Sequence, residues 1–598
     1  MSKRDRYIYN SQDFINNLKY LYILIVMSVL IIILRLVYLQ VVKYQYFLSS
    51  AKRNYIRLID LIPARGYIKT KDGAIYAKNT PTFSVFLLKS KKVKERDIKT
   101  LSLILKLKEK YIKSKMHLAL YNQSILLKSS ISRREVYNLL NSESLKSLIN
   151  IEVTPKRVYP NNAVEYANIV GYLSEVSKQD FLKNYRYHID ELIGRKGIEK
   201  KYNDLLRGEW GYKEIEAKSN GEVVKVLSKI PPKKGKDITL SIDSRLQSYI
   251  YNIFKKNNLQ GSIIVMKTDG HILGIANSKS FNPNYFINGM SSKVWNMLKK
   301  KNKMNLFDMS LQGSYPPGSL IKPFVALSAL KEGIIKPDTV VECPYSIQIG
   351  KNLYRDWKPG GFGKINLQRA IESSSDVFFY QLGMKLGIDK LRLYLSQFGF
   401  GRRPKLFDYC AKGNLPSKIW KYRKLKTSWY VGDTISTSIG QGFFLSTPLQ
   451  VALAFNMIAN NGIGYKPTLI NDKQKKVEYV FKSKYYDKIK KALWLVVNGK
   501  YGTGARAKIE GLDICGKTGT SQVVSSYFYK SIKKKLKEKK ISIKRAKKYF
   551  PHAWFASFAP LNNPKVVVVV FVEHGEHSSN AAEIAKHIYQ KLQQLKLI

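Results

Sequence analysis

The stretch "YLYILIVMSVLIIILRLVYLQVV", Tyr20–Val42, limits the possible folds more than any other part of the sequence. A helix of about 20 apolar residues crosses the hydrocarbon core of a bilayer, and this stretch is long enough. Arg35 is its one charged residue. Such a side chain can reach outward to the interface or face a partner helix. The uninterrupted part, Leu21–Leu34, has 14 residues and by itself also suits a secretion signal or a core helix. "FLSSA", Phe47–Ala51, offers a faint cleavage pattern. The full length favours an uncleaved anchor. Lys3, Arg4 and Arg6 precede it and place that end in the cytoplasm. No cysteine lies near the N-terminus, which excludes lipidation there. The expected layout is a short cytoplasmic tail (1–19), a transmembrane anchor (20–42) and an exported remainder.

The remainder of the 598 residues has room for more than one domain with its own core. Lys and Arg number 103 against 43 Asp and Glu, a net charge of +60. A nucleic-acid footprint is local, whereas here Lys, Ile, Asn and Tyr crowd every segment. The excess therefore reads as compositional drift. Export of the bulk of the chain also argues against nucleic acid as a partner. Cys343, Cys410 and Cys515 are too far apart for a metal ligand pattern, and their odd number suggests no disulfide framework. His574 and His577 are the only close histidines and lack accompanying ligands. Neither a metal nor a cofactor is expected.

Residues 43–235 alternate short apolar runs with polar turns, with one candidate long amphipathic helix at Glu95–Ile112. This predicts an extended α+β pedestal. "SKIPPKKGKD", Ser228–Asp237, reads as a linker. From 236 to 598 the texture changes. Two apolar runs in Gly261–Ser278 flank Thr268-Asp269-Gly270, a hairpin signal. "KVVVVVFVE", Lys565–Glu573, predicts a strand buried on both faces. Asn580–Leu595 predicts an amphipathic C-terminal helix. Helical segments lie between, so the expected fold class is α+β: a mainly antiparallel sheet covered by helices, beside a helical subdomain. Ser531–Lys548 is basic enough to be a solvated helix or a mobile insertion.

The chemistry starts at "YPPGSLIKP", Tyr315–Pro323. Pro316, Pro317 and Gly318 stop a preceding helix, and Pro323 is tolerated only in a first turn. A helix should therefore begin at Ser319 and run to Glu332, closed by Gly333. Ser319 and Lys322 would share one face, with free backbone N–H groups at hand for an oxyanion. Ser319 would be a nucleophile and Lys322 its base. A lysine base near neutrality must sit about three units below its free value of ~10.4, which burial or a second nearby cation can supply. The spacing alone decides nothing, because Ser49/Lys52 and Ser531/Lys534 repeat it without the Pro-Pro-Gly stop.

Two further segments decide it. "IESSSDVFFY" carries Ser374 and Asp376 two residues apart; by itself that is also an ordinary helix cap. "CGKTGTSQ" carries Lys517, Thr518, Gly519 and Thr520; by itself that is also a strand edge. In this order the three form the set Ser-x-x-Lys, Ser-x-Asn/Asp, Lys-Thr-Gly. Lys517 is the second cation that the lysine base requires.

On these motifs the chain resembles the class B penicillin-binding proteins of the elongation type. "RLVYLQVVKYQYF", "PARGYI", "GRKGIEKKYNDLLRG", "YRDWKPGGFGKINL", "GNLPSKIWK", "GDTISTSIGQG" and "HAWFASFAP" extend the resemblance over nearly the whole chain. Asp376, where division-type relatives usually carry Asn, favours the elongation type. The resemblance implies a penicillin-binding/serine β-lactamase-like transpeptidase domain behind a pedestal. It also implies D,D-transpeptidation of peptidoglycan stem peptides through an acyl-enzyme on Ser319, and trapping by β-lactams. D,D-carboxypeptidase or β-lactamase-like hydrolysis is the alternative. The implied catalytic set is Ser319, Lys322, Ser374, Asp376 and Lys517, with Thr518, Gly519 and Thr520 binding substrate. The implied partners are a D-Ala-D-Ala donor, an amine acceptor, the membrane and a SEDS-family glycosyltransferase, in a bacterial cell membrane. Departures are Thr70 and Lys71 before the turn glycine, Cys515 before Gly-Lys-Thr-Gly, and Phe362 where some relatives carry a metal-associated His.

Overall fold

In the computed structural model the described residues are 11–48, 56–89, 93–118, 124–160, 162–217 (save 185 and 189), 223–287, 294, 296, 298, 306–472 and 476–598. Ser49/Lys52, most of "FLSSA" and the basic residues before the anchor lie outside them. One helix, Ser11–Val37, continues as a π-helical turn over Tyr38–Val42. Its apolar span, Asn17–Val42, is 26 residues long, reaches a mean hydropathy of 2.7 over an 18-residue window and is exposed save at Leu39, as fits a single-pass anchor.

The chain divides into two compact units: 1–63, 81–154 and 209–233, and 64–80, 155–208 and 234–598. In the first unit, strands Ile56–Leu61, Gly211–Ala217 and Val223–Ile230 form an antiparallel sheet. Ser228–Ile230, read as linker, thus ends a strand: its residues alternate into a hydrogen-bonded ladder rather than a free turn. Nearby, Ser124–Ser129 pairs with Ser84–Leu88 under helices Glu95–Leu105, Glu109–Leu118 and Arg133–Leu140. The helix expected over 95–112 is two helices. Lys106 adopts φ +54° and caps the first, so the apolar stripe breaks at a left-handed residue.

The second unit contains the sheet that positions the site. Strands β1 (Gly261–Lys267), β2 (Ile272–Asn277), β3 (Cys515–Ser521), β4 (His552–Ala559) and β5 (Val566–Val572) run in the order β2-β1-β5-β4-β3. All four pairings are antiparallel. The Thr268-Asp269-Gly270 hairpin forms, with Gly270 at φ +94°.

Strand β5 is buried along its whole length. Val567, Val569 and Phe571 join one core, and Val566, Val568, Val570 and Val572 the other. Side chains of a strand alternate between faces, so a continuous apolar run is what a two-sided burial demands. Helices α1 (Ser244–Lys256) and α6 (Ser578–Gln594) cover one face. The other face carries α2 (Lys322–Lys331), α3 (Asp376–Gln397) and α4 (Pro448–Ala459). Helix α5 (Ser526–Lys537) lies in the connection between β3 and β4.

"PARGYI" and "GRKGIEKKYNDLLRG" meet in one buried charge network within this unit. Glu199, fully buried, accepts from Arg65 Nε (2.7 Å), Arg157 Nε (2.9 Å) and the Tyr159 hydroxyl (3.0 Å). Arg65 Nη2 also donates to Asn203 Oδ1 at 2.9 Å. Losing one partner of such a set strands a buried charge, at a cost of about 3–5 kcal/mol. The network ties residues 64–80 and 155–208 into the unit of the five-stranded sheet. Among the departures, Thr70 is buried in a turn closed by Gly73, and Phe362 packs its ring on Trp357.

Candidate active site

Three segments deliver the site. In the first, Gly318 takes φ +57° and Gly318–Ile321 forms a 3-10 turn; the α-helix begins at Lys322 rather than at Ser319. Pro323 is the cause. A regular first turn needs its N–H for the Ser319 carbonyl, and proline has none. The Lys322 N–H donates to Ser319 instead, which is the shorter 3-10 spacing. At the other end α2 stops at Lys331 and Gly333 follows with φ +69°.

The second segment is Ser374-Ser375-Asp376. Ser375, not its neighbours, caps α3, accepting from the Phe378 N–H at 3.3 Å. Its hydroxyl also donates to Asp356 Oδ2 at 2.8 Å, and the Val377 N–H donates to the same oxygen at 3.0 Å. Trp357 Nε1 reaches the Ser373 carbonyl at 3.1 Å. These bonds hold Ser374 at φ +57°, a left-handed conformation that costs a non-glycine residue about 1–3 kcal/mol. The capping alternative for this motif is thus met by Ser375, which leaves the Ser374 side chain for other partners.

The third is β3. Lys517 and Gly519 share one face of the strand, and Thr518 and Thr520 the other. A Cβ on Gly519 would lie 2.9 Å from both the Pro317 carbonyl oxygen and Leu320 Cγ. One on Gly318 would lie 2.8 Å from the Thr520 carbonyl oxygen. Two glycines therefore let the serine turn and the strand touch through their backbones. Ser521 Oγ donates to the Pro316 carbonyl, and Gln441 Nε2 donates to that of Thr520 at 3.0 Å.

The side chains converge on the Ser374 hydroxyl. Lys517 Nζ lies 2.8 Å from Ser374 Oγ, and Lys322 Nζ lies 3.3 Å from it. Lys322 Nζ also donates to the Ser374 carbonyl (2.8 Å) and pairs with Asp376 Oδ1 (2.7 Å). Both lysines are fully buried. Burial, then the Lys322 charge, push Lys517 well below the usual lysine range, with Asp376 pulling it back. Burial raises the Asp376 carboxyl, Lys322 lowers it, and Asp356 raises it. The amine held low is thus Lys517, the residue read from the sequence as the second cation rather than as the base.

Ser319 is half-buried and its hydroxyl makes no hydrogen bond among the described residues. Lys322 bonds Ser374 and Asp376 rather than Ser319. Thr518 is buried and shares a hydrogen bond with Thr503 at 2.7 Å, while Thr520 is exposed. Asp356, Trp357 and Thr503 escaped the motif reading. A lone carboxylate beside a tryptophan has no spacing signature. The Gly-Thr-Gly at 502–504, a loop suited to close approach, was the available hint for Thr503. The pair Ser531/Lys534 lies on α5, where Lys534 is exposed and Ser531 bonds the Phe528 carbonyl.

Comparisons with known proteins find likeness along most of the chain. Residues 261–590 match the penicillin binding protein transpeptidase domain, and residues 60–240 the penicillin-binding protein dimerisation domain. The chain is 32% identical to the peptidoglycan D,D-transpeptidase MrdA of Acinetobacter baumannii, over 95% of this chain and 86% of that one. It is 30% identical to MrdA of Escherichia coli K12, over 91% and 89%. Among solved structures it is similar to the penicillin-binding protein PBP2 of Helicobacter pylori, seen in a complex with MreC. That likeness has a TM-score of 0.78 and 29% identity, over 91% of this chain and 99% of that one. A serine turn, a strained Ser-x-Asp corner and a Lys-Thr-Gly strand meeting at one hydroxyl are thus accompanied by likeness along almost the full length, and the chain belongs to the penicillin-binding protein transpeptidase family, in its two-domain PBP2 type.

Proposed function

We propose that the chain crosslinks peptidoglycan stem peptides as a D,D-transpeptidase, with Ser319 as nucleophile. The observation that carries this reading is the convergence of Lys322, Asp376 and Lys517 around Ser374, from three motifs far apart in sequence. Ser319 Oγ attacks the carbonyl of the penultimate D-Ala, and Lys322 takes its proton once its own has passed through Ser374 to the unprotonated Lys517. Backbone N–H groups of Ser319 and Thr520 hold the oxyanion. The proton passes through Ser374, beside Lys517, to the amine of the departing terminal D-Ala as the C–N bond breaks. Asp376 keeps Lys322 in place. Thr518 and Thr520 receive the terminal carboxylate, with Gly519 allowing the close approach. An amine of a neighbouring stem peptide then attacks the ester, forms the crosslink and returns the proton to Ser319. β-Lactams present an amide of the same kind and acylate Ser319.

In this reading residues 1–19 are cytoplasmic, 20–42 anchor the chain, 43–235 form the pedestal and 236–598 the transpeptidase domain on the far side of the membrane. Lys3, Arg4 and Arg6 support that orientation. A membrane glycosyltransferase of the SEDS family is the proposed partner, and an exposed single-pass helix is the surface it would meet.

The test uses the full-length protein with a stem-peptide donor and an amine acceptor. Release of D-Ala together with a crosslinked dimer is expected, and Ser319→Ala should yield neither. D-Ala release by Ser319→Ala at the parent rate would overturn the assignment. Rapid release of hydrolysed penicillin would point to a β-lactamase.

A further inference from the structure

The connection between β3 and β4 holds the densest charge beside the site. Residues 522–551 carry eleven Lys and Arg and one Glu, against 103 Lys and Arg in 598 overall. The segment is folded. Helix α5 packs against Ile543–Ala546, and Ile532, Ala546 and Phe550 form a small core of their own. The Tyr529 hydroxyl (2.9 Å) and Lys533 Nζ both donate to Glu576, just beyond β5. Phe528 stacks edge-on against Tyr549.

Its root is at the cleft. Ser521 and His552 are the last register pair of β3 and β4. Ser521 bonds Pro316, three residues before the nucleophile, and the His552 ring abuts Tyr315. The hairpin therefore grows directly from the edge that carries Thr518 and Thr520. Glu538 draws Lys534 and Lys540, and Glu576 draws Lys533. Lys530, Lys535, Lys537, Lys539, Lys544 and Arg545 are exposed and make no ion pair among the described residues. Unneutralised like charges repel one another unless an anion lies among them. Compositional drift accounts for lysines scattered over the surface, but not for a folded hairpin with one acidic residue rooted beside the serine turn.

We propose that this basic hairpin is an extended substrate subsite that holds a polymer bearing several carboxylates, which the peptidoglycan strand is through its stem peptides. The proposal rests on the transpeptidase reading and adds to it. Thr518 and Thr520 receive the single carboxylate at the scissile end, and the hairpin receives carboxylates further along the same or the adjoining strand. Exposed pairs are screened by salt, so the contribution is greatest at low ionic strength.

The experiment compares two full-length variants in phosphatidylcholine nanodiscs. Lys530→Gln/Lys535→Gln/Lys537→Gln neutralises the hairpin. Lys99→Gln/Lys108→Gln/Lys110→Gln removes equal charge from exposed lysines of the first unit. Each is first tested for acylation by labelled penicillin, which reports an intact cleft and is independent of the proposal. Co-sedimentation with purified sacculi is then measured across a salt series. The hairpin variant should bind about tenfold more weakly at low salt, with a flatter salt dependence, while the first-unit variant keeps the parent curve. Equal loss in both variants, or no loss in the hairpin variant, overturns the proposal. So does a hairpin variant that keeps sacculus binding but loses association with phosphatidylglycerol vesicles, which would assign the surface to lipid. Failure of acylation in the parent protein would count against the transpeptidase reading instead.

Discussion

Ser319/Lys322 and Ser531/Lys534 share a spacing and nothing else. Lys322 is fully buried, with its Nζ on Ser374 and Asp376. Lys534 is 79% exposed and meets Glu538 only at 3.9 Å. Ser319 sits on a tight turn fixed by a positive-φ glycine, whereas Ser531 sits mid-helix and bonds its own backbone. Four residues of sequence set the reach between a hydroxyl and an amine. The fold around them decides whether the amine is a solvated cation or is buried against Ser374 and Asp376.

The largest effect expected from this contrast is on the buried lysine. Lys322→Met should slow penicillin acylation by about 10³-fold, in the range for a lost acid-base group, whereas Ser531→Ala should leave the rate at the parent value. Stopped-flow acylation measures both. A Lys322→Met rate within tenfold of the parent would erase the distinction between the two pairs.

Next comes Lys517. Its amine is held well below the usual lysine range by burial and by Lys322, so it loses its proton at a lower pH than a solvated lysine. Acylation should rise with pH through that lowered value and level off before the ordinary lysine range. Lys517→Arg stays protonated, so the rising limb should vanish and the plateau fall about 10²-fold. Stability follows the same sign. The unfolded chain binds the extra proton between the lowered pKa and about 10.4, so stability rises with pH across that window. Lys517→Met should remove that slope in thermal unfolding.

The brace is expected to matter less. Asp356→Ala strands the Ser375 hydroxyl and the Val377 N–H that it now accepts. A loss of about 1–3 kcal/mol in unfolding free energy is expected, with acylation slowed several-fold as Ser374 leaves its left-handed conformation. The smallest change is expected for Asp376→Asn. The amide oxygen still accepts from Lys322, so acylation should stay within about tenfold of the parent. A greater loss would show that the charge, and not the hydrogen bond, holds Lys322.

Where a pattern repeats along the chain, the sequence carried the fold well. An unbroken valine run gave β5 its two cores, and the Thr-Asp-Gly turn joined β1 to β2. The site was legible as three motifs because each needs fixed residue types at fixed spacing. What escaped depends on atoms brought together from elsewhere. The start of α2 shifted to Lys322 because one missing N–H on Pro323 changed the turn. Within Ser374-Ser375-Asp376 the cap falls to Ser375, because Asp356, eighteen residues before Ser374, orients it. The helix at 95–112 broke at Lys106, a left-handed residue with no glycine to announce it.

The central claim is that the buried pair, and not its exposed copy, carries the nucleophile. Mass spectrometry of peptides from the penicillin-labelled full-length protein tests it most directly. The acyl adduct is predicted on the peptide containing Ser319, with none on that containing Ser531. An adduct at Ser531, or stable labelling that leaves Ser319 unmodified, would contradict the account.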